Sequence, residues 1–170
     1  MLPAIKKILF ATDLSEDAEY AFGYAALMAH KFDAKITVLH VVEEMSATGR
    51  SLLIDYLGQD RWEEIVARKG ESFQDAVRVR LEDFCEAMKT AYKECPFLVE
   101  KTVVRDGRAP EEILYETETG LYDLLIMGSH GRGFMADALM GNTARRVVRR
   151  CKIPVTVLRL PEEKRSHAGQ

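Results

Sequence analysis

The chain has 170 residues, of which 47% are apolar and 30% charged, and its formal net charge is −3. This length suits one compact domain of ordinary soluble composition, and the small negative charge does not favour nucleic acid as the main partner. The three cysteines form no C-x-x-C pair, which argues against a secreted disulfide framework and favours a reducing cytoplasm. No apolar run approaches membrane-spanning length, so we expect neither export nor a membrane segment.

Short apolar runs rich in branched residues alternate with longer amphipathic stretches, a pattern typical of an α/β domain. The predicted strands are Ile5 to Thr12, Lys35 to Val42, Leu98 to Arg105, Asp123 to Met127 and Val155 to Leu160. Most are apolar at successive positions, as strands buried on both faces of a sheet are. The sequence therefore predicts an open, five-stranded parallel sheet.

Four helices are predicted between these strands. They are Glu16 to Lys31, a helix from Phe73 that ends before Pro96, Glu111 to Thr119, and Ala144 to Arg150. Ser15 is expected to cap the first helix, and Pro110 to lie in the first turn of the third. The segment of about residues 43–70 is an insert, for which a flap over the site, a subunit contact and a local satellite cluster are all open.

We expect a break near Gly70, because a helix from Gln59 to Glu94 would be about 54 Å long, too long for one layer of a small domain. The domain is predicted to span residues 1–160. The polar end of the chain, Pro161 to Gln170, is predicted to be a flexible tail.

A glycine-rich segment follows the fourth predicted strand and precedes the last helix. It contains Gly128, Gly131, Gly133 and Gly141. Glycines leave room for close backbone approach, so such a loop aims several N–H groups at one anion. The first turn of the following helix adds unpaired N–H groups and the positive end of its dipole. The segment is predicted to be a phosphate cradle.

Other phosphate-binding motifs fit this chain poorly. No Gly-Lys dipeptide occurs, which excludes a Walker A loop. Gly131 to Ala136 matches G-x-G-x-x-[G/A] but follows a late strand and lacks an acidic residue about 20 positions on. The first strand is followed by Ala11-Thr12-Asp13 in place of a Ser-Gly-Gly loop, which argues against an adenylating enzyme.

Two strand orders remain open from the residues alone, the flavodoxin-like 2-1-3-4-5 and the variant 3-2-1-4-5. In either, ligands bind beyond the carboxyl ends of the strands, where the winding reverses. The second order places the ends of the first and fourth strands side by side, which would make Asp13 and Gly128 neighbours.

Three parts of the sequence together resemble the universal stress protein family. They are Ile8 to Ser15, Leu39 to Val42, and the glycines 128, 131 and 141, which are spaced as in the family's nucleotide-binding pattern G-x2-G-x9-G-[S/T]. The resemblance covers nearly the whole chain. It implies a sheet of order 3-2-1-4-5 with helices on both faces, the adenine nucleotide alpha hydrolase-like fold, and ATP with Mg²⁺ as ligands in the family's ATP-binding branch.

By position, the resemblance implies that Asp13 binds the ribose or assists Mg²⁺, and that the Val41 backbone contacts adenine. Gly131 and the residues Gly141 to Thr143 would hold phosphates, and Asn142 stands where the family has Ser or Thr. The implied nucleotide-binding set is Ala11, Thr12, Asp13, Val41, Met127, Gly128, His130, Gly131, Arg132, Gly141, Asn142 and Thr143.

Further polar residues each have a plain structural reading. Asp13 alone could simply cap the next helix. His130 has no evident carboxylate partner in the sequence and is not assigned as catalytic. Arg132 is either a phosphate ligand or a surface charge. Arg145, Arg146, Arg149, Arg150 and Lys152 suit the carboxyl end of a helix better than nucleic acid. His30, His40 and His167 are too scattered for a metal site.

The last strand is long and apolar, and only Arg159 discourages pairing at an open sheet edge. We therefore expect a homodimer through Val155 to Leu160, as the resemblance also implies. The leading functional hypothesis is an ATP-binding regulatory protein of the stress response that acts on an unknown protein partner. The alternatives are a slow ATP hydrolase and a dimeric interaction module without nucleotide.

Overall fold

The computed structural model describes residues 3–43, 51, 54–55, 58–130, 140–159 and 161. Its strands are β1 (Lys7–Thr12), β2 (Lys35–Glu43), β3 (Leu98–Gly107), β4 (Leu124–Gly128) and β5 (Val155–Leu158). The helices are α1 (Glu16–Phe32), α2 (Gln59–Ala91), α3 (Ala109–Thr119) and α4 (Asn142–Arg150). All predicted strands and helices form. Their ends lie within two residues of the prediction, apart from α2, which starts earlier than predicted and ends at Ala91, before Pro96 as expected. Leu160, the predicted end of β5, lies outside the described residues.

The sheet has the order β3-β2-β1-β4-β5 and is parallel throughout, as expected. β1 lies in the centre, pairing with β2 on one side and β4 on the other, with Ala11 opposite both Leu39 and Met127. β3 and β5 are the edges. The winding therefore reverses between β1 and β4, which is the topological switch point of the sheet.

Each face of the sheet carries its own core. On one face, α1 and α2 pack on residues such as Ile8, Phe10 and Ile126, and on the other, α3 and α4 pack on residues such as Leu9 and Leu125. Because side chains alternate between the faces of a strand, the odd residues of β1 and the even ones belong to different cores. The five-stranded layer is thus covered on both sides.

Helix α1 lies close to the sheet because its inner face is built of small residues. The buried alanines are Ala18, Ala21, Ala25, Ala26 and Ala29, and Phe22 fills the space between them. The Phe22 ring meets Phe10 edge-on, with 5.1 Å between centroids. Ser15 caps this helix, as predicted, since its hydroxyl accepts a hydrogen bond from Ala18 N.

Helix α2 corrects the expectation of a break near Gly70. The helix runs without interruption through Gly70 for 33 residues, about 50 Å. A single interior glycine costs only about 1 kcal/mol relative to alanine, too little to end a long helix of good helix formers. Among the side chains of α2 that the structure describes, those buried against the sheet lie in its carboxyl-terminal part, as at Leu81, Phe84 and Met88. Most of the remaining insert, including residues 44–50, lies outside the described residues, as does nearly all of the predicted tail.

No helix within the described residues is long and apolar enough to span a membrane.

A buried carboxylate ties α3 to the sheet. Glu116 is 4% exposed and accepts hydrogen bonds from Arg105 Nε at 2.9 Å and Nη2 at 2.6 Å, and from the Tyr122 hydroxyl at 2.9 Å. Burial raises the pKa of Tyr122 to about 12, so the phenol remains a donor to Glu116 at neutral pH. A buried charge of this kind is tolerated only when it is paired and hydrogen-bonded.

We predict that Glu116→Ala lowers the free energy of unfolding by about 2 kcal/mol, because Arg105 and Tyr122 lose their acceptor together. Urea denaturation followed by circular dichroism measures the loss. The matched control is Glu118→Ala on the same helix, whose exposed carboxylate contacts Lys152 at 2.8 Å and should contribute little. Equal losses in the two variants would contradict the role given to Glu116.

Candidate nucleotide-binding site

The carboxyl ends of β1, β2 and β4 meet at the switch point. Thr12 lies opposite His40 in the register of β1 with β2, and Ala11 lies opposite Met127 in that of β1 with β4. Extending the second register by one residue sets Thr12 beside Gly128. The two segments that the sequence singled out, around Asp13 and around Gly128, are therefore neighbours.

Three apolar residues of the predicted site lie on one face of the sheet at this edge. Ala11, Val41 and Met127 all belong to the core on the side of α3 and α4, and Met140 packs against the same cluster. Ala11 and Met127 are almost fully buried, whereas Val41 is half-buried at the end of β2. In the sheet, Ala11 lies in register with the larger Leu39 on one side and Met127 on the other.

The turn between β1 and α1 is held by short-range bonds that begin at Thr12 and Asp13. Thr12 Oγ1 accepts from Leu14 N at 3.0 Å. Asp13 Oδ1 accepts from Ser15 N at 3.1 Å and from Ser15 Oγ at 2.6 Å. The cap of α1 is thus Ser15, and Asp13 orients that cap instead of capping the helix itself. Leu14 has a φ of 60°, a left-handed conformation that is costly for a branched residue.

The two ends of the glycine-rich segment are braced against each other. Gly141 N donates to Ser129 O at 2.8 Å, and Ser129 N donates in turn to Leu158 O of β5 at 2.7 Å. A Cβ on Gly141 would lie 3.1 Å from Ser129 O, and one on Gly128 would lie 3.3 Å from His130 O. The φ of Gly141 is −65°, so the position needs glycine for space and not for backbone freedom. The brace holds the amino end of α4 beside the end of β4.

The first turn of α4 has the character of an anion site. Gly141 is its N-cap and provides no side-chain bond, and the turn contains no acidic residue. Asn142 therefore opens the helix instead of capping it, in contrast to the capping role suggested by its residue type, and Thr143 follows half-buried. Arg145 Nη2 donates to Asn142 Oδ1 at 3.1 Å. With its oxygen engaged in this way, the Asn142 amide nitrogen is available as a donor.

His130 is held by its neighbour. Its Nδ1 lies 2.8 Å from the hydroxyl of Ser129, which is 5% exposed. This contact orients the imidazole at the start of the glycine-rich segment. The sequence did not predict it, because Ser129 belongs to no recognised motif. Gly131 and Arg132, two further predicted site residues, lie outside the described residues.

Three of the five cations in the basic cluster on and after α4 pair with carboxylates of α3. Arg146 contacts Glu111 at 2.7 Å, Arg150 contacts the same carboxylate at 3.9 Å, and Lys152 contacts Glu118 at 2.8 Å. These pairs join two helices that pack side by side. They support the plain structural reading of the cluster over a nucleic-acid surface.

His40 is a site residue that sequence reasoning missed. Its Nδ1 lies 2.8 Å from Thr12 O, across the β1–β2 pair and at the start of the turn that carries Asp13. Only the strand order and register bring these residues together, so no local pattern could have revealed the contact. Within the part of the chain that the structure describes, no group of three or more His, Cys, Asp or Glu residues has the geometry of a metal site.

Residues 4–159 match the Universal stress protein family. Universal stress protein MJ0577 of Methanocaldococcus jannaschii is 27% identical over 154 residues, which cover 91% of this chain and 94% of that protein. A universal stress protein of Thermus aquaticus is 30% identical over 154 residues, covering 91% of this chain and 98% of its own length.

Solved structures share the fold. MJ0577 superposes with a TM-score of 0.66 at 25% identity, covering 94% of this chain and 99% of that one. A universal stress protein in complex with cAMP superposes with a TM-score of 0.56 at 18% identity, covering 92% of this chain and 98% of that one. Because the family match spans nearly the whole chain and the sheet has the order that the resemblance implied, the chain belongs to the universal stress protein family.

Proposed function

We propose that this protein binds ATP at the carboxyl edge of the sheet and passes the presence of the nucleotide to a protein partner as a regulator of the stress response. The observation that carries the proposal is the 2.8 Å bond from Gly141 N to Ser129 O, which holds the amino end of α4 beside β4 and Gly128. A polyphosphate placed there meets backbone N–H groups and the positive end of a helix dipole. A cytoplasmic location accords with this role and stays a prediction.

The phosphates are assigned to the glycine-rich segment and α4. The glycines at 128 and 141 keep side chains out of the space next to Ser129 and His130, where a Cβ would already be in tight contact. Asn142 supplies a side-chain amide in place of the hydroxyl that is usual in the family pattern, and Thr143 supplies a hydroxyl one residue later. Gly131 and Arg132 complete the proposed set from the sequence.

The base and sugar are assigned to the strand ends. Ala11, Val41 and Met127 form a common apolar surface at the end of one face of the sheet, which suits the flat adenine ring. Asp13 follows β1 directly and carries the carboxylate that we assign to the ribose. A universal stress protein with this fold has been solved in complex with cAMP, an adenine nucleotide, and this supports the same class of ligand here.

Mg²⁺ is the metal proposed at this site. It favours one or two carboxylates together with phosphate oxygens, and it seldom occupies a cage made wholly of protein ligands. As the alternative to the ribose contact, Asp13 fits that requirement as a single carboxylate beside the proposed phosphate site. When bound, the ion would neutralise part of the charge of the triphosphate.

A slow ATP hydrolase is the second candidate. Hydrolysis needs an oriented water and charge stabilisation in the transition state. His130, held by Ser129, is the described imidazole nearest to the proposed phosphates in sequence and favours this candidate. Native mass spectrometry of freshly purified protein separates the alternatives. Retained ATP supports the binding protein, ADP or AMP together with turnover supports the hydrolase, and an empty site that does not respond to added ATP supports an interaction module.

We predict that Gly141→Val weakens ATP binding at least tenfold, because the side chain would collide with Ser129 O and occupy the phosphate space. Isothermal titration calorimetry with ATP and Mg²⁺ measures the change. Val148→Ala on the exposed side of the same helix is the matched control and should leave the affinity unchanged. Wild-type affinity in the Gly141 variant would show that the cradle has been wrongly assigned.

Asn142 allows a finer test of the phosphate contacts. We predict that Asn142→Ala weakens ATP binding about tenfold, since one hydrogen bond to a charged group is lost, while Asn142→Ser, which restores the usual family residue, binds at least as tightly as wild type. ATP and ADP titrations of all three proteins measure the change. Equal affinities for Asn142→Ala and wild type would remove Asn142 from the site.

We also propose a homodimer through the edge strand β5. All four residues of β5 are only half-buried and none of them is charged, whereas β3, at the other edge, contains Glu100, Lys101 and Asp106. Charged residues on an edge discourage pairing, and their absence permits it. Pairing β5 with the β5 strand of a second protomer, related by a two-fold axis, would give hydrogen-bond partners to the open edges of both β5 strands.

Val157→Pro tests the dimer without breaking the internal sheet. The carbonyl oxygens of Pro154 and Leu158 accept hydrogen bonds from Leu125 N of β4 and from Ser129 N, directly after it. Because the backbone groups of successive residues point to opposite sides of a strand, the Val157 N–H points to the open edge of the sheet. We predict that this variant sediments as a monomer at micromolar concentration, while wild type and Val157→Ala sediment as dimers. A monomeric wild type would refute the proposed dimer.

A further inference from the structure

A side-chain hydrogen bond from His40 ties β2 to the turn that carries Asp13. Its ring Nδ1 lies 2.8 Å from the carbonyl oxygen of Thr12, the last residue of β1. That carbonyl belongs to the peptide unit that joins Thr12 to Asp13. A hydrogen bond to this oxygen therefore fixes the orientation of the peptide plane that leads into Asp13.

The turn beyond this peptide is strained. Leu14 has a φ of 60°, a left-handed conformation that is unfavourable for a residue with a Cβ. Such conformations persist only where the surroundings determine them. Here the bond from Leu14 N to Thr12 Oγ1 and those from Ser15 to Asp13 Oδ1 hold the turn from within, and His40 holds it from the neighbouring strand.

The chemistry of the contact fixes the tautomer of the imidazole. A carbonyl oxygen only accepts hydrogen bonds, so His40 Nδ1 must carry the proton whether the ring is neutral or charged. The useful group is thus the Nδ1–H. An asparagine at this position places its amide nitrogen the same number of bonds from Cβ, whereas a glutamine places it one bond further away.

We propose that His40 is a positioning residue of the nucleotide site. Its Nδ1–H holds the Thr12–Asp13 peptide in the orientation that directs the Asp13 carboxylate to the bound nucleotide. This inference rests on the proposed function, since it concerns the affinity of the same site. His40 acts through Thr12 and Asp13, and contact between its ring and the ligand is not required.

The experiment compares wild type with His40→Asn, His40→Gln and His40→Leu by titration with ATP and Mg²⁺. The expected result is a loss of about tenfold in affinity for the leucine and glutamine variants and a change of less than about threefold for the asparagine variant. His30→Leu, at the far end of α1, is the control for loss of a histidine and should bind normally. Urea denaturation of each variant shows whether all are folded.

A purely structural role of the ring would give a different pattern. Asparagine fills the space of an imidazole poorly, so it would then bind ATP as weakly as leucine, and the proposal would be wrong. Wild-type affinity in His40→Leu would overturn it equally. Nitrogen-15 spectra of the histidine ring give an independent readout, since the proposal requires a protonated Nδ1 in wild type.

Failure of the proposed function can be told apart from failure of this inference. If wild type binds no ATP, the function is wrong, and the backbone amide resonances of Leu14 and Ser15 then decide on His40. Shifts in His40→Leu that return to wild-type positions in His40→Asn support the positioning role. Unshifted resonances in His40→Leu overturn it.

Discussion

The candidate site depends on the pairing of β4 with β1 in the centre of the sheet. β1 is flanked by β2, which follows it in sequence, and by β4, which returns to its other side, so that helices leave these strands toward opposite faces. In open parallel sheets, ligands bind at such a reversal, beyond the carboxyl ends of the strands. The pairing is secured by Ile8, Leu9 and Phe10, none of which is exposed. The chemistry at the edge is therefore supported by the most deeply buried strand of the protein.

The two faces of the sheet serve different purposes. On the side of α1 and α2, aromatic rings and alanines pack closely, and this core fixes the start of α1 and with it the turn through Asp13. On the side of α3 and α4, the end of the sheet carries Ala11, Gly128 ends β4, and Gly141 caps α4. Small residues at a sheet end leave space that a ligand can fill, whereas the large residues below them fill the core. Rigidity comes from one face and space from the other.

The sequence predicted the strands well because five runs of buried apolar residues have few alternative conformations. The spacing of Gly128 and Gly141 made them candidates for a phosphate site, which stays a prediction, and in the structure a Cβ at either position would lie 3.3 Å or less from a backbone oxygen. The expected helix break near Gly70 was wrong, because the argument from length assumed that α2 must fit within one layer of the domain. Sequence reasoning also missed His40 and Ser129, because hydrogen bonds between distant residues follow from register and not from local pattern.

The charges of α4 show why an anion suits its amino end. The helix has four arginines and no acidic residue, and Arg145 lies in its first turn, where a positive charge opposes the helix dipole. Arg146 and Arg150 are compensated by Glu111 of α3, but Arg145 contacts only the neutral amide of Asn142 among the interactions described. The first turn therefore combines N–H groups that have no partner within the helix with a positive charge that the helix dipole makes unfavourable. In the proposed complex with ATP, the triphosphate would relieve that conflict, and Arg145 would then add to affinity while it lowers helix stability in the free protein.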